Sequence, residues 1–173
     1  MWRIRLSGMS RMFILTGPPG AGKNTIAALY AGLVDRCAVI DVDMLRWIVV
    51  KPHVAPWGGE EGRKQHFLGV RNACAIAKNL AEEGFDALIL DVVSDEHADF
   101  YKSNLASTSP KIIRLMPSYE EVVKRNHTRV SAVLKPDEID FLYQMQVKLR
   151  TFDHSIDNTQ IPPAEIASRL LEW

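Results

Sequence analysis

Between Phe13 and Leu29 an apolar run stops at Thr16, a turn follows with glycines at 17, 20 and 22, and Lys23 opens an alanine-rich segment. This order reads as β-strand, tight loop and buried helix, the helix expected from Gly22 to Val34. The glycines let successive backbone N–H groups curl around a phosphate with no Cβ in the way, and the helix N-terminus adds its dipole. Gly17, Pro18, Pro19, Gly20, Ala21, Gly22, Lys23, Asn24 and Thr25 are therefore the candidate phosphate-binding residues. Lys23 would reach the β- and γ-phosphates of a nucleotide as a point charge. The plainer alternative is a Gly-Pro-Pro-Gly turn that merely joins a strand to a helix.

One position departs from the usual pattern. The residue after the lysine is normally Ser or Thr, whose hydroxyl binds magnesium, and here it is Asn24, with Thr25 one place on. An amide carbonyl is a neutral oxygen and a usable ligand for a hard cation, directly or through water. The departure therefore bears on the metal contact more than on the phosphate contact, and Thr25 remains for the α-phosphate.

A chain of 173 residues is long enough for one domain with a sizeable core. Its 21 basic and 21 acidic residues balance, so no general attraction for extended nucleic acid or an anionic membrane is expected. Cys37 and Cys74 lie far apart without metal-type spacing, which suits buried thiols in a reducing, cytoplasmic setting. The N-terminal segment has a basic start without the apolar core of a signal peptide, and no run reaches membrane-spanning length. Met9 or Met12 would serve equally as a start, which makes residues 1–11 a loosely attached extension.

Along the chain, Cys37–Asp41 reads as a second strand ending in an acid, and Asp43 as the cap of a helix that carries Arg46 one turn on. Two prolines, Trp57 and a Gly-Gly pair make Lys51 to Gly62 an irregular loop. Phe67, Val70, Cys74, Ala77 and Leu80 then recur at helical spacing up to Gly84. Asp86–Val93 is the third strand, and Ser94 caps the next helix. Lys111–Met116 is the fourth strand, Ser118 with Glu121 forms a capping box, and the helix that follows runs toward Arg129. Pro136 restarts a helix with Ile139, Leu142, Met145 and Leu149 on one face. A weak fifth strand at His154–Ile156 and a last helix from Pro163 complete the order.

Alternation of this kind predicts an α/β fold, a five-stranded parallel sheet with helices on both faces, whose ligands sit at the carboxyl ends of the strands. Those ends carry Thr16 and Gly17, Asp41 and Asp43, Asp91, and Pro117. Trp57 can pack on a ring or plug its loop onto the core, and Lys51, His53, Arg63 or Arg71 can hold a carboxylate or phosphate. His66, His97, His127 and His154 show no metal-ligand spacing and read as ordinary surface or core residues.

With these residues in view, the chain from Met12 onward resembles the P-loop small-molecule kinases: shikimate and gluconate kinases, chloramphenicol phosphotransferase, zeta toxins and, more distantly, nucleoside monophosphate kinases. It looks most similar to gluconate-kinase-like proteins. The resemblance implies the three-layer P-loop NTPase fold of the nucleoside and shikimate kinase type. It also implies an ATP- and Mg²⁺-dependent transfer of the γ-phosphoryl group to a hydroxyl of a small metabolite or antibiotic, by a monomer or homodimer. On that resemblance Asp43 aligns or deprotonates the acceptor hydroxyl, and Arg46 holds the acceptor or its leaving charge. Asp41 or Asp91 holds water on the magnesium, while Asn24, where the chain departs from the family's pattern, is a metal ligand only on the chemistry of its own carbonyl. Arg125 and Arg129 belong to a short lid over 125–136, the first stacking on adenine and the second neutralising the phosphates. Asn158, within Asp157-Asn158-Thr159, lies in the adenine-side loop, although the same residues also suit a plain turn. Residues 51–66 form the acceptor loop, with Trp57, and Arg71 on the next helix, as acceptor contacts. Two other readings stand beside it: a nucleotide or polynucleotide 5′-end kinase, and a non-catalytic nucleotide-binding switch.

Overall fold

The computed structural model describes residues 10–128 and 133–173. Five strands form one parallel sheet in the order β2-β3-β1-β4-β5: β1 (Met12–Thr16), β2 (Cys37–Asp41), β3 (Asp86–Leu90), β4 (Lys111–Leu115) and β5 (His154–Ile156). Helices α1 (Lys23–Ala31), α2 (Val42–Arg46), α3 (Gly59–Glu82), α4 (Asp95–Asn104), α5 (Tyr119–His127), α6 (Pro136–Lys148) and α7 (Pro163–Arg169) supply the connections. β1 lies at the centre, its Ile14 in register with Ile89 of β3 and Ile112 of β4. All five β1 residues are buried, as the unbroken apolar run requires of a strand covered on both faces.

Alternate side chains divide between two cores. Met12 and Ile14 join Val70, Ala73 and Ala77 of α3 and Tyr101 of α4 on one face. Phe13 and Leu15 join Ile26, Ala27 and Tyr30 of α1 and Ile166 of α7 on the other. At such fully buried positions a large-to-alanine change costs about 2–5 kcal/mol.

Several element ends differ from those expected. α1 stops at Ala31 because Gly32 forms its C-cap, its N–H reaching back to the Ala28 and Leu29 carbonyls. β3 stops at Leu90: the Asp91 amide still donates to the Leu15 carbonyl of β1 at 3.2 Å, but the Val92 and Val93 amides turn to the side chains of Asp91 and Thr16. α3 begins at Gly59, well before the expected end of the irregular loop. Glu60 and Glu61 suit the positive end of that helix, and Gly62 packs so closely that a Cβ would collide with the Ala55 carbonyl. The Gly-Gly pair therefore opens a helix and does not prolong a loop. Ser10 and Arg11, assigned by the sequence to a loose extension, are tied down: Ser10 Oγ donates to the Ala81 carbonyl at 3.2 Å and the Arg11 amide to Asp86 Oδ1 at 2.8 Å.

Residues beyond the sheet fix its carboxyl end. Thr16 Oγ1 donates to Gln146 Oε1 at 3.0 Å and accepts from the Val93 amide at 3.1 Å, and Gln146 Nε2 donates to the Val93 carbonyl at 2.9 Å. Thr16 and Gln146 are wholly buried, so the end of β1, the segment after β3 and α6 share one closed polar network.

Candidate active site

The carboxyl ends of β1, β2 and β3 open into a cleft of about 2350 Å³. Ligand pockets commonly measure about 300–1,000 Å³, so the volume has room for two small molecules side by side.

The first wall is the glycine-rich loop. Gly20 and Gly22 take φ of 83° and 89°, and α1 begins at Lys23 with no side-chain cap and no acid in its first turn. Its positive end thus has no counter-charge in its own first turn, a position that favours an anion. Lys23 Nζ donates to the Gly17 and Pro18 carbonyls at 2.8 and 3.3 Å. On the outer flank, Asn158 is 3% exposed and donates Nδ2 to the Ala21 carbonyl at 2.7 Å, while its Oδ1 is buried without a hydrogen-bond partner. Arg125 donates to the Gly20 and Asn158 carbonyls at 3.3 and 3.2 Å and to Glu121 Oε1 at 2.8 Å. Arg125 and Asn158, remote in sequence, converge on the same loop.

The second wall comes from β2 and α2. Asp41 caps α2, its Oδ1 accepting the Asp43 amide at 3.0 Å, and its Oδ2 accepts Asn24 Nδ2 at 3.4 Å. The cap expected at Asp43 therefore falls two residues earlier, because a carboxylate satisfies the amide two or three places after it. Asp43 is left outside the capping role, its side chain 72% exposed and its Oδ1 accepting Arg46 Nη1 at 3.1 Å. Arg46 is buried, donates Nη2 to the Val54 carbonyl at 2.8 Å, and leaves Nε without a partner.

At the far end the lining turns aromatic and cationic. Trp57 and Arg71 are exposed there, and Trp47 stacks on His53 with ring centroids 4.0 Å apart. Lys135, just before α6, and Asp137, Glu138 and Phe141 of its first two turns also line the cleft. The sequence places Lys135 and Pro136 in the expected lid and the rest of α6 in packing.

Asp91 lies at the floor and both its oxygens are engaged. Oδ1 meets His66 Nε2 at 2.8 Å and accepts the Val92 amide at 2.7 Å, and Oδ2 accepts the Tyr101 hydroxyl at 3.0 Å. Burial works to raise the Asp91 pKa, but the His66 charge and hydrogen bond outweigh it and hold the carboxyl below its ordinary value. Burial works to lower that of His66, and Asp91 reverses it, so the imidazole titrates higher than usual. His97, whose ring lies edge-on to His66 at 4.4 Å, is pushed down by burial and then by its neighbour's charge. Tyr101 is pushed well up by burial and by Asp91.

No protein-family model matches the sequence, and no curated protein matches it at a significant level. Solved structures do match over the whole fold. A sugar kinase from Janibacter sp. HTCC2649 superposes with a TM-score of 0.70 at 18% identity, covering 95% of this chain and 94% of that one. A tunicamycin resistance protein from Deinococcus radiodurans gives 0.68 at 14% identity over 94% of each chain. A shikimate kinase from Acinetobacter baumannii, in complex with shikimate, gives 0.65 at 17% identity over 94% and 92%.

The fold is that of the P-loop kinases.

Within this P-loop kinase fold the cleft gathers Pro19 to Thr25, Asp41, Asp43, Arg46, Trp57, Arg71, Asp91 and Arg125 along one lining. Gly17, Pro18 and Asn158 support the loop from outside that lining. Arg129, expected to neutralise the phosphates, lies outside the described residues, as does part of the expected lid. His66 and His97 were read as ordinary residues, yet α3 and α4 bring them to the floor of the cleft. Their distance in sequence left no local signal of it. Among the described residues no helix is long and apolar enough to cross a membrane.

Proposed function

We propose that the protein is an ATP- and Mg²⁺-dependent phosphotransferase that moves the γ-phosphoryl group to a hydroxyl of a small acceptor. The observation that carries this reading is the placement of Asp43 on a cleft that has the glycine-rich loop and Lys23 in one wall and Trp47, Trp57 and Arg71 in another. Phosphoryl transfer asks the protein for alignment and charge neutralisation more than for covalent chemistry.

The residues fit the cofactor. The uncapped start of α1 and the positive-φ glycines offer amides to a triphosphate, with Lys23 as the mobile cation. Asn24 and Asp41, joined by the hydrogen bond from Asn24 Nδ2 to Asp41 Oδ2, would serve Mg²⁺, because an amide carbonyl and a carboxylate are both hard oxygen donors. Asp41 is only half-buried, whereas Asp91 is buried at the floor against His66 and Tyr101, which makes it the more remote ligand of the set. Arg125 would contribute to the nucleotide side, and Arg129 to neutralising the phosphates. Asp43, steadied by Arg46, aligns the acceptor hydroxyl, whose proton can leave late in a loose transition state. Trp57 would cover a ring of the acceptor and Arg71 its anionic group.

The test is ADP release with ATP and Mg²⁺ against a panel of sugar acids, nucleosides, and aminoglycoside and phenylpropanoid antibiotics. Release that depends on one acceptor class, with the phosphorylated acceptor found by mass spectrometry, supports the reading. Slow hydrolysis indifferent to every acceptor would count against it and favour a nucleotide-binding switch.

A further inference from the structure

At the floor of the cleft three residues from three elements meet: His66 of α3, Asp91 just after β3, and His97 of α4. One nitrogen of each imidazole and one carboxylate oxygen all lie within 4.8 Å of one another. We propose that His66, Asp91 and His97 form a binding site for a borderline transition-metal cation, Zn²⁺ fitting best, separate from the magnesium that accompanies a nucleotide.

The donor set selects the ion. Two imidazoles and one carboxylate match Zn²⁺, which takes nitrogen and oxygen ligands at about 2.0–2.2 Å in a tetrahedron. Mg²⁺ prefers octahedral oxygen and keeps its waters, so an imidazole pair suits it poorly. Tetrahedral ligands at such bond lengths stand about 3.3–3.5 Å apart, so rotations of the two imidazoles on the order of 1 Å close the set. On binding, the cation takes the place of the proton between His66 Nε2 and Asp91 Oδ1, and that proton passes to solvent. The remaining coordination position falls to water.

Two observations support a ligand in preference to a structural ion pair. His97 Nδ1 is buried without a hydrogen-bond partner, and a His66–Asp91 pair leaves that nitrogen unexplained. Tyr101 holds the other Asp91 oxygen at 3.0 Å, the kind of outer contact that orients a metal-bound carboxylate.

The experiment needs neither ATP nor an acceptor, so its outcome is separate from that of the kinase reading. The full chain, dialysed against a chelator, is titrated with Zn²⁺ by calorimetry in millimolar Mg²⁺, and Co²⁺ is added in parallel as a spectroscopic probe. One equivalent of Zn²⁺ is expected, with a tetrahedral Co²⁺ absorption band in the visible. His97→Ala and His66→Gln should each weaken binding by at least on the order of 10–100-fold, the loss that even outer-sphere partners give, whereas His154→Ala retains it. Circular dichroism separates a lost site from a lost fold. Absence of both stoichiometric uptake and the Co²⁺ band in the parent protein overturns the proposal, as does unchanged affinity in folded His97→Ala and His66→Gln.

Discussion

Arg46 holds the carboxylate of Asp43 at 3.1 Å from a position where the guanidinium is buried and the acid is open to the cleft. The buried partner fixes the orientation of the exposed one. Asp43→Asn keeps the shape and removes the charge, so kcat should fall by about 10²–10⁴-fold with little change in the KM for ATP or in Tm. Steady-state kinetics with the acceptor that best stimulates ADP release checks this; an unchanged kcat removes Asp43 from the mechanism.

Lys23 anchors to loop carbonyls in this structure and would swing to the phosphates of a nucleotide. A charge-assisted contact is worth about 1.5–3 kcal/mol, which corresponds to roughly 10–100-fold in affinity. Lys23→Ala should therefore weaken ATP binding by that factor in a calorimetric titration, and equal affinity in the two proteins would show that the loop does not grip phosphate.

Asn158 supports the glycine-rich loop from below through the Ala21 carbonyl. Asn158→Ala strips a buried acceptor of its donor, at a cost of about 1–3 kcal/mol. Thermal denaturation should show Tm lowered by several degrees, with weaker ATP binding alongside. A variant that melts and binds like the parent would assign the loop's shape to its glycines alone.

The two cysteines should be slow to react. Burial, and for Cys37 also the Asp86 charge, pushes its thiol up to about 11; burial pushes Cys74 up to about 11 as well, despite Lys78. Both groups bind their protons more tightly when folded than when unfolded. Their contribution to stability is thus complete below about pH 9 and lost as the pH rises toward 11. Labelling with a disulfide reagent at pH 8 should be slow in the native protein and complete in denaturant. Rapid native labelling of Cys74 would contradict its 3% exposure.

Asp153 predicts the acid limb. Burial raises its pKa, but hydrogen bonds from Lys102 and the Ile112 amide, with the Lys102 charge, bring it below the ordinary value. That stabilisation is present above the unfolded carboxyl pKa and lost as the pH falls through the folded one. The two side chains are 34% and 32% exposed, so screening limits the pair to about 0.5–1 kcal/mol. Asp153→Asn should lower Tm by roughly 1–4 °C at pH 7 and by less at pH 3; an equal loss at both would point to packing instead of charge.

Local rules carried the element order. The glycine-rich turn before an apolar helix, the acid closing β2 and the Ser118 cap of α5 are each written in a few adjacent residues, and each stands where it was expected. What local rules missed depends on elements far apart in the chain. Gly58 and Gly59 looked like loop residues because the Ala55 carbonyl that Gly62 accommodates has no sequence signature. Gln146 has no signal in its own segment of the chain, since its partners come from β1 and from the segment after β3. His66 and His97 had no reason to be linked until α3 and α4 were laid against the same sheet face.

Gln146 also governs how the molecule comes apart. Because one side chain clasps the strand that launches the glycine-rich turn and the stretch that leaves the neighbouring strand, neither can loosen alone without stranding polar atoms in a dry interior. The shape of the glycine-rich turn and the seating of α6 are consequently tied to each other, so that a change at either one is felt at both.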